Sequence, residues 1–171
     1  TLFLIGADEV DTSRLGDTFV IFQGTHGDRG AHAADVILPG AAYTEKHGVY
    51  VNTEGRPQRA KLACFPPGDA KEDWRILRAL SEAIGKTLPL DTPAQVRARM
   101  LEIAPQLAAF DVIEPAEWGA FGKAGDTLKS PFAPVIEDFY ATNPISRAST
   151  VMQECGALFA ARDEGATGTD G

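Results

Sequence analysis

Three short apolar runs, each closed by glycine, set the pattern of the amino-terminal third. "TLFLIGADEV" at 1–10, "DTFVIFQG" at 17–24 and "DVILPG" at 35–40 lack polar alternation. Continuous runs of this length predict strands covered on both faces, as in parallel sheets. Their glycine-rich exits point to an α/β sheet. Too few helical residues separate them to wind a complete domain, so further strands are expected from outside these residues. "GVYVNTEGRPQRAKLACF" at 48–65 changes the rhythm: two β-rich runs flank "NTEGRP", where Gly55 and Pro57 suit a turn. A hairpin or a looped excursion is predicted there, at the carboxyl end of the sheet.

From residue 66 the period becomes helical. In "PPGDAKEDWRILRALSEAIGK", Trp74, Leu77 and Ile84 share a side with Ile76, Leu80 and Ala83, and charged residues face away. Asp69 and Glu72 have capping-box spacing, and Gly85 is placed to stop the helix. Trp74 is expected to be its largest buried side chain, packed on the strands at 1–6 and 18–23. In "DTPAQVRARMLEIAPQL", Thr92 is the expected N-cap, Pro93 opens the helix and Gln95 completes the box. Val96, Met100, Ile103 and Leu107 form its stripe, and Pro105 should end it. Residues 110–134, with Trp118, have no clean period and are expected to form a long surface connection. In "NPISRASTVMQECGALF", Asn143 caps and Pro144 opens a helix with Ile145, Ala148, Met152, Cys155 and Phe159 near one face. The polar, glycine-rich 161–171 reads as a disordered tail.

Composition narrows the function classes. The 171 residues carry a net charge of −8 and are 44% hydrophobic and 23% charged, ordinary for a globular chain. Such acidity, with no basic stripe to offset it, opposes nucleic-acid phosphates. No apolar run reaches the length of a membrane span. The chain opens on Thr1 without Met and runs straight into a strand, so it is expected to be the carboxy-terminal portion of something longer.

The stretch "GTHGDRGAHAADVILPG" at 24–40 holds the candidate chemistry. Its first part gives G-x-x-G-x-x-G after a strand, where backbone N–H groups can meet a phosphate. Neither dinucleotide nor P-loop spacing is present, no lysine follows, and Asp28 would oppose a phosphate. His26, His32 and His47 lack zinc-ligand spacing. Asp35, Glu45 and Glu54 are the carboxylates to weigh as an acid–base pair, but nothing places two of them at one bond, and capping or turn roles are expected. Cys64 and Cys155 are far apart, too few for a cluster that takes four thiolates and without the context of a nucleophile. Residue by residue, no catalytic, cofactor-binding or metal-binding residue is assigned. A free-standing nucleotide-binding module stays open as a rival.

"AADVILPGAAYTEKHGVYVNTEGRPQ" at 33–58 resembles a segment of the molybdopterin oxidoreductase superfamily, whose members carry an "ADVVLP" strand, a Glu in a short helix, then a strand and "N-x-E-G-R-x-Q". "FQGTHGDRGAHAADVILPG", "KEDWRILRALSEAIGKTLP" and "NPISRASTVMQEC" resemble, in the same order, the large iron–sulfur subunits of respiratory complex I, NADH:quinone oxidoreductase. The likeness runs from residue 1 to about 158. It implies an α/β fold, part of a molybdopterin oxidoreductase-like domain with a mostly parallel sheet, flanking helices and an irregular C-terminal extension. The implied divisions are 1–90 for the end of the α/β domain, 91–160 for a helical and loop extension, and 161–171 for the tail. It further implies a structural and interaction segment of a proton-translocating NADH:quinone oxidoreductase, with no active site of its own. The 2Fe-2S and 4Fe-4S clusters would be bound upstream and none in this segment, and the glycine loop would be inherited and now structural. Partners would be other peripheral-arm subunits, notably the flavin-bearing NADH-binding subunit. The location would be the cytoplasmic side of a bacterial inner membrane or the matrix side of the mitochondrial one. The alternative is the end of a catalytic molybdopterin oxidoreductase such as a formate dehydrogenase.

Overall fold

A computed structural model describes residues 1–165 apart from Asp8, Ala116, Trp118, Phe121, 132–135 and Glu137; for 161–165 it describes the backbone. The chain divides into two compact units, Thr1–Thr25 with Arg29–Trp118, and His26–Asp28 with Gly119–Gly171. Trp118, placed by the sequence in the long connection, lies outside the described residues.

The three apolar runs of the first unit form strands β1 (Leu2–Ile5), β2 (Val20–Gly24) and β3 (Val36–Pro39). All pairings are parallel, in the order β1-β2-β3, which bears out the α/β expectation. The register sets Leu2 beside Val20 and Leu4 beside Phe22, so these side chains share one face. There Leu4, Val20, Phe22 and Ala31 form the core, edged by Leu2, Ala7, Leu15 and Ala34. Ala31 comes from the short helix α1 (Arg29–His32) that carries the chain from β2 to β3. Cover on both faces does not hold within these residues: Ile5 is 50% and Ile37 56% exposed.

The predicted hairpin forms from β4 (Gly48–Val51) and β5 (Pro57–Ala60), antiparallel and in a sheet of their own. Asn52 Oδ1 accepts from the N–H groups of Glu54 and Arg56 at 3.1 and 3.0 Å. Gly55 at φ +84° takes the left-handed position such a turn requires. Arg56 Nη1 donates to the Asp111 carbonyl at 2.6 Å, and Asp111 N–H donates back to Pro57 O at 2.8 Å.

The helix α2 (Asp73–Ala83) starts later than its spacing suggests. Glu72 is the N-cap residue, and its side chain makes no capping bond, so the expected box between Asp69 and Glu72 does not form. The reason is a long-range one. Lys71 lies in a parallel bridge with Gly40, donating to Pro39 O at 3.2 Å and accepting from Ala41 at 2.8 Å, which keeps the chain extended up to Glu72. Gly85 does adopt φ +72° just past the last turn. Helix α3 (Pro93–Ile103) follows its sequence signals closely: Thr92 accepts from Gln95 N–H, Gln95 answers to the Thr92 backbone, and Pro93 opens it. Pro105 then begins a 3-10 turn, Pro105–Ala108.

The second unit holds α4 (Pro144–Arg147) and α5 (Thr150–Gly165), two helices where the sequence suggested one. Asn143 caps α4 in a reciprocal box with Ser146. The break is occupied by Gln153, whose Nε2 donates to the Arg147 carbonyl at 2.7 Å. Asp138 lies so close to Gly156 that any Cβ there would overlap its carboxylate, and the Tyr140 and Phe159 rings meet at 5.7 Å. Helix α5 runs on to Gly165, past the expected start of the tail, and 166–171 lie outside the described residues.

The box at Thr92 has a measurable worth. Thr92→Ala should cost about 1 kcal/mol of stability, and Thr92→Ser should restore most of it, read as the shift in thermal midpoint of the protein.

Candidate functional site

The glycine loop owes its composition to one aromatic ring. A Cβ on Gly24 would stand 2.6 Å from Phe22 Cε1, and one on Gly30 2.7 Å from Phe22 Cδ2. Phe22 is 3% exposed, so the ring has nowhere to go. The two glycines are therefore spaced to admit a core side chain. In the second unit, Asp28 Oδ2 accepts from Arg147 Nε at 2.5 Å, with both side chains about four-fifths buried. The space that Gly24 and Gly30 leave is filled by the Phe22 ring.

Polar chemistry concentrates elsewhere in the first unit, at the start of α2. Gln23, on the central strand and fully buried, donates from Nε2 to Asp73 Oδ1 at 2.9 Å. Lys46 Nζ bonds Asp73 Oδ2 at 2.5 Å. Next to it, Glu72 accepts from His47 N–H at 3.1 Å and from Trp74 Nε1–H at 3.0 Å, with the His47 ring at 3.3 Å and Arg75 Nε at 3.6 Å. Burial opposes ionisation of Glu72, but the His47 N–H, the His47 ring, the Trp74 indole and the Arg75 charge together outweigh it and hold the carboxyl below its usual range.

The sequence candidates do not converge. Asp35 accepts from Val20 N–H at 2.7 Å, Glu45 from Ala42 N–H at 2.9 Å, and Glu54 lies in the hairpin turn. Asp35 ties β3 to the backbone of β2, Glu45 bonds the backbone three residues before it, and Glu54 bonds the Asn52 amide and the Arg56 guanidinium within the turn. Of His26, His32 and His47, the last joins the Glu72 cluster. Cys64 is exposed and Cys155 half-buried. Among the described residues no three His, Cys, Asp or Glu side chains gather to hold a metal ion, and these residues do not fit an iron–sulfur cluster.

Gln23, Lys46, Glu72 and Asp73 do not stand out from the sequence as a group. A lone amide inside the apolar run "VIFQG" is the available signal, because a polar residue in a buried strand needs a partner. Trp74 also differs from expectation. It is half-buried, and the largest fully buried side chains are Gln23 and Val20. Its ring helps line a shallow groove with His47, Gly48, Val49, Pro93, Val96, Arg97 and Met100, so its setting is the hairpin and α3. Bonding of its indole to Glu72 turns it there.

Comparison with known proteins gives two family matches in sequence order. Residues 1–83 match the molybdopterin oxidoreductase family, and residues 112–155 match the family of C-terminal regions of the NADH-ubiquinone oxidoreductase G chain. The chain is 48% identical over 165 residues to the mitochondrial NADH-ubiquinone oxidoreductase 78 kDa subunit of Neurospora crassa, covering 91% of this chain and 22% of that protein. It is 48% identical to the corresponding subunit of Candida albicans, covering 95% and 24%. To the mitochondrial NADH dehydrogenase [ubiquinone] iron-sulfur protein 1 of Solanum tuberosum it is 45% identical, covering 92% and 22%. The chain thus spans less than a quarter of the length of these relatives.

Two outcomes test the cluster and the loop. Gly30→Ala should destabilise the protein by about 1–3 kcal/mol through overpacking, and Phe22→Leu in the same chain should recover part of that loss, measured by thermal unfolding. Glu72→Gln should also destabilise at neutral pH. Because the folded carboxyl sits below its ordinary value of 4.5, its contribution is complete above that pH and fades as pH falls through the folded value. The difference in thermal midpoint between Glu72→Gln and the parent should therefore shrink steadily below about pH 4.5.

Proposed function

We propose a scaffolding role from one premise: the chain belongs to the molybdopterin oxidoreductase superfamily, in the branch of the large iron–sulfur subunits of NADH-ubiquinone oxidoreductase. In this reading it is a structural and interaction segment. It supports electron transfer from NADH to quinone that is carried by 2Fe-2S and 4Fe-4S clusters elsewhere in the subunit. The observation that carries the reading is the order of the two family matches, 1–83 and then 112–155, along one chain. A formate dehydrogenase-like enzyme would account for the first match and not the second.

The chemistry of the residues supports the same role. Gln23 Nε2 and Lys46 bond Asp73, His47 bonds Glu72, and Asp28 bonds Arg147. We therefore assign no catalytic, cofactor-binding or metal-binding residue to this chain. The exposed Ile5, Phe19 and Ile37 would pack against the remainder of the subunit, with residues 1–90 completing its α/β domain and 91–160 extending from it. Neighbours would be peripheral-arm subunits, among them the flavin-bearing NADH-binding subunit. The place would be the matrix side of the mitochondrial inner membrane or the cytoplasmic side of a bacterial one. Among the described residues no helix is long and apolar enough to cross a membrane.

The test separates assembly from turnover. Asp73→Ala leaves the buried Gln23 amide without its acceptor, a loss of about 1–3 kcal/mol. The abundance of assembled NADH:quinone oxidoreductase should fall, while turnover per assembled complex stays at the parental value. The triple alanine variant of His26, His32 and His47 should likewise keep its turnover per assembled complex. A fully assembled but inactive histidine variant would overturn the scaffold reading, as would stoichiometric molybdenum in the native protein.

A further inference from the structure

The second unit is assembled from two pieces of chain far apart in sequence, His26–Asp28 and Gly119–Gly171. Its described residues bury little. Leu128, Phe139, Val151, Leu158 and Phe159 are exposed, and among the described residues of 119–160 none is fully buried. A unit without an apolar core of its own is ordered by its polar ties. Those ties converge on Arg147. Its N–H donates to the carbonyl of Asn143, the cap of α4, and its own carbonyl accepts from Gln153 of α5 at 2.7 Å. Its Nη1 donates to the Ala141 carbonyl at 3.1 Å. Its Nε donates to Asp28 at 2.5 Å, 119 positions back in the chain. One residue thus meets α4, α5, the turn before α4 and the crest of the glycine loop.

We propose that the second unit is a latched strap: residues 138–160 open and close together, and the Asp28–Arg147 pair keeps them closed on the crest of the glycine loop. Both side chains of the pair are about four-fifths buried. Removing one of them leaves the other's charge uncompensated where water is scarce, which is the costly way to break such a pair. The guanidinium is committed through two nitrogens, to Asp28 and to Ala141, so it fixes direction as well as charge. The best-attested use of a buried ion pair is to select one register among several that apolar contacts would tolerate. With no apolar core behind it, the strap is released as a block when the pair is lost. The sheet stays closed, because its core of Leu4, Val20, Phe22 and Ala31 lies in the first unit. In the open form the Asp28 carboxylate meets solvent, so access to the crest of the loop is governed by the chain's own carboxy-terminal region. This device goes beyond the scaffold role and does not depend on it.

Hydrogen exchange of the complete native protein, followed peptide by peptide, tests the latch. In the parental protein the amides of 138–160 should exchange as one block, ahead of those of β2. Asp28→Asn keeps the shape of the side chain and removes its charge, and Arg147→Met keeps an unbranched stem and removes the fork. Each should speed exchange across 138–160 at least tenfold, with β1, β2 and α3 at their parental rates. The double variant should exchange no faster than the faster single, because the two residues act through one bond. Parental amides of 138–160 that exchange as slowly as β2, or at unrelated rates, would overturn the proposal without any variant. So would unchanged exchange in either single variant, or acceleration confined to the turn around the substitution. Effects that multiply in the double variant would show two separate roles, and equal acceleration of the sheet would show a general loss of folding; either result would overturn the latch.

Discussion

A buried amide on the middle strand of a three-stranded sheet constrains everything built above it. Gln23 is fully enclosed, so its side chain must find a partner or forfeit about 1–3 kcal/mol. Asp73 answers its Nε2–H, while its Oε1 has no hydrogen-bond partner among the described residues, and Asp73 is the first residue of α2. The start of that helix is therefore located by a polar bond to β2. Lys46 on the other carboxylate oxygen and the Lys71–Gly40 bridge behind it hold the same point from two further directions. Along the rest of α2, Ser81 is the buried residue, and Ile76, Leu77 and Leu80 are covered only in part. Placement of this helix relies more on polar groups at one end than on an apolar face along its length.

Such an arrangement explains why some elements are legible in the sequence and others are not. Thr92-Pro93-x-Gln95 and Asn143-Pro144 set up their helices through bonds spanning three residues, and local spacing carries that information fully. The hairpin is legible for the same reason, with Asn52 and Gly55 writing the turn locally. Asp69 and Glu72 have equally good spacing and form no box, because a strand-like contact with Gly40, about thirty residues away, holds the backbone extended at the decisive position. Trp74 departs from expectation for a related reason. Helical periodicity gives the side on which a residue lies, but not which neighbour meets that side.

The loop from Gly24 to Gly30 shows how one sequence signature arises from two physical causes. Glycines permit close approach, and spacing alone does not reveal what approaches. In nucleotide-binding loops the visitor is a phosphate; here it is the ring of Phe22, two residues before the first glycine and anchored in the core. Here the aromatic residue stands on the inward face of the preceding strand, which is why its ring meets both glycines. The three carboxylates Asp35, Glu45 and Glu54 carry a parallel lesson: Asp35 is spent on a backbone N–H of the neighbouring strand, Glu45 on one three residues away, and Glu54 on side chains of its own turn.

The all-parallel pairing of β1, β2 and β3 also dictates an order of events in time. No two of these strands are joined by a tight turn, so each pairing must close a loop of about a dozen residues or more before any ladder bond rewards it. Hairpin β4–β5 and the capped helix α3 close over a few residues and can form within microseconds, long before the sheet. Gln23 and Asp73 lie fifty positions apart in the chain. Their bond is a long-range contact, and the loop-closure cost of such contacts slows folding relative to the local ones.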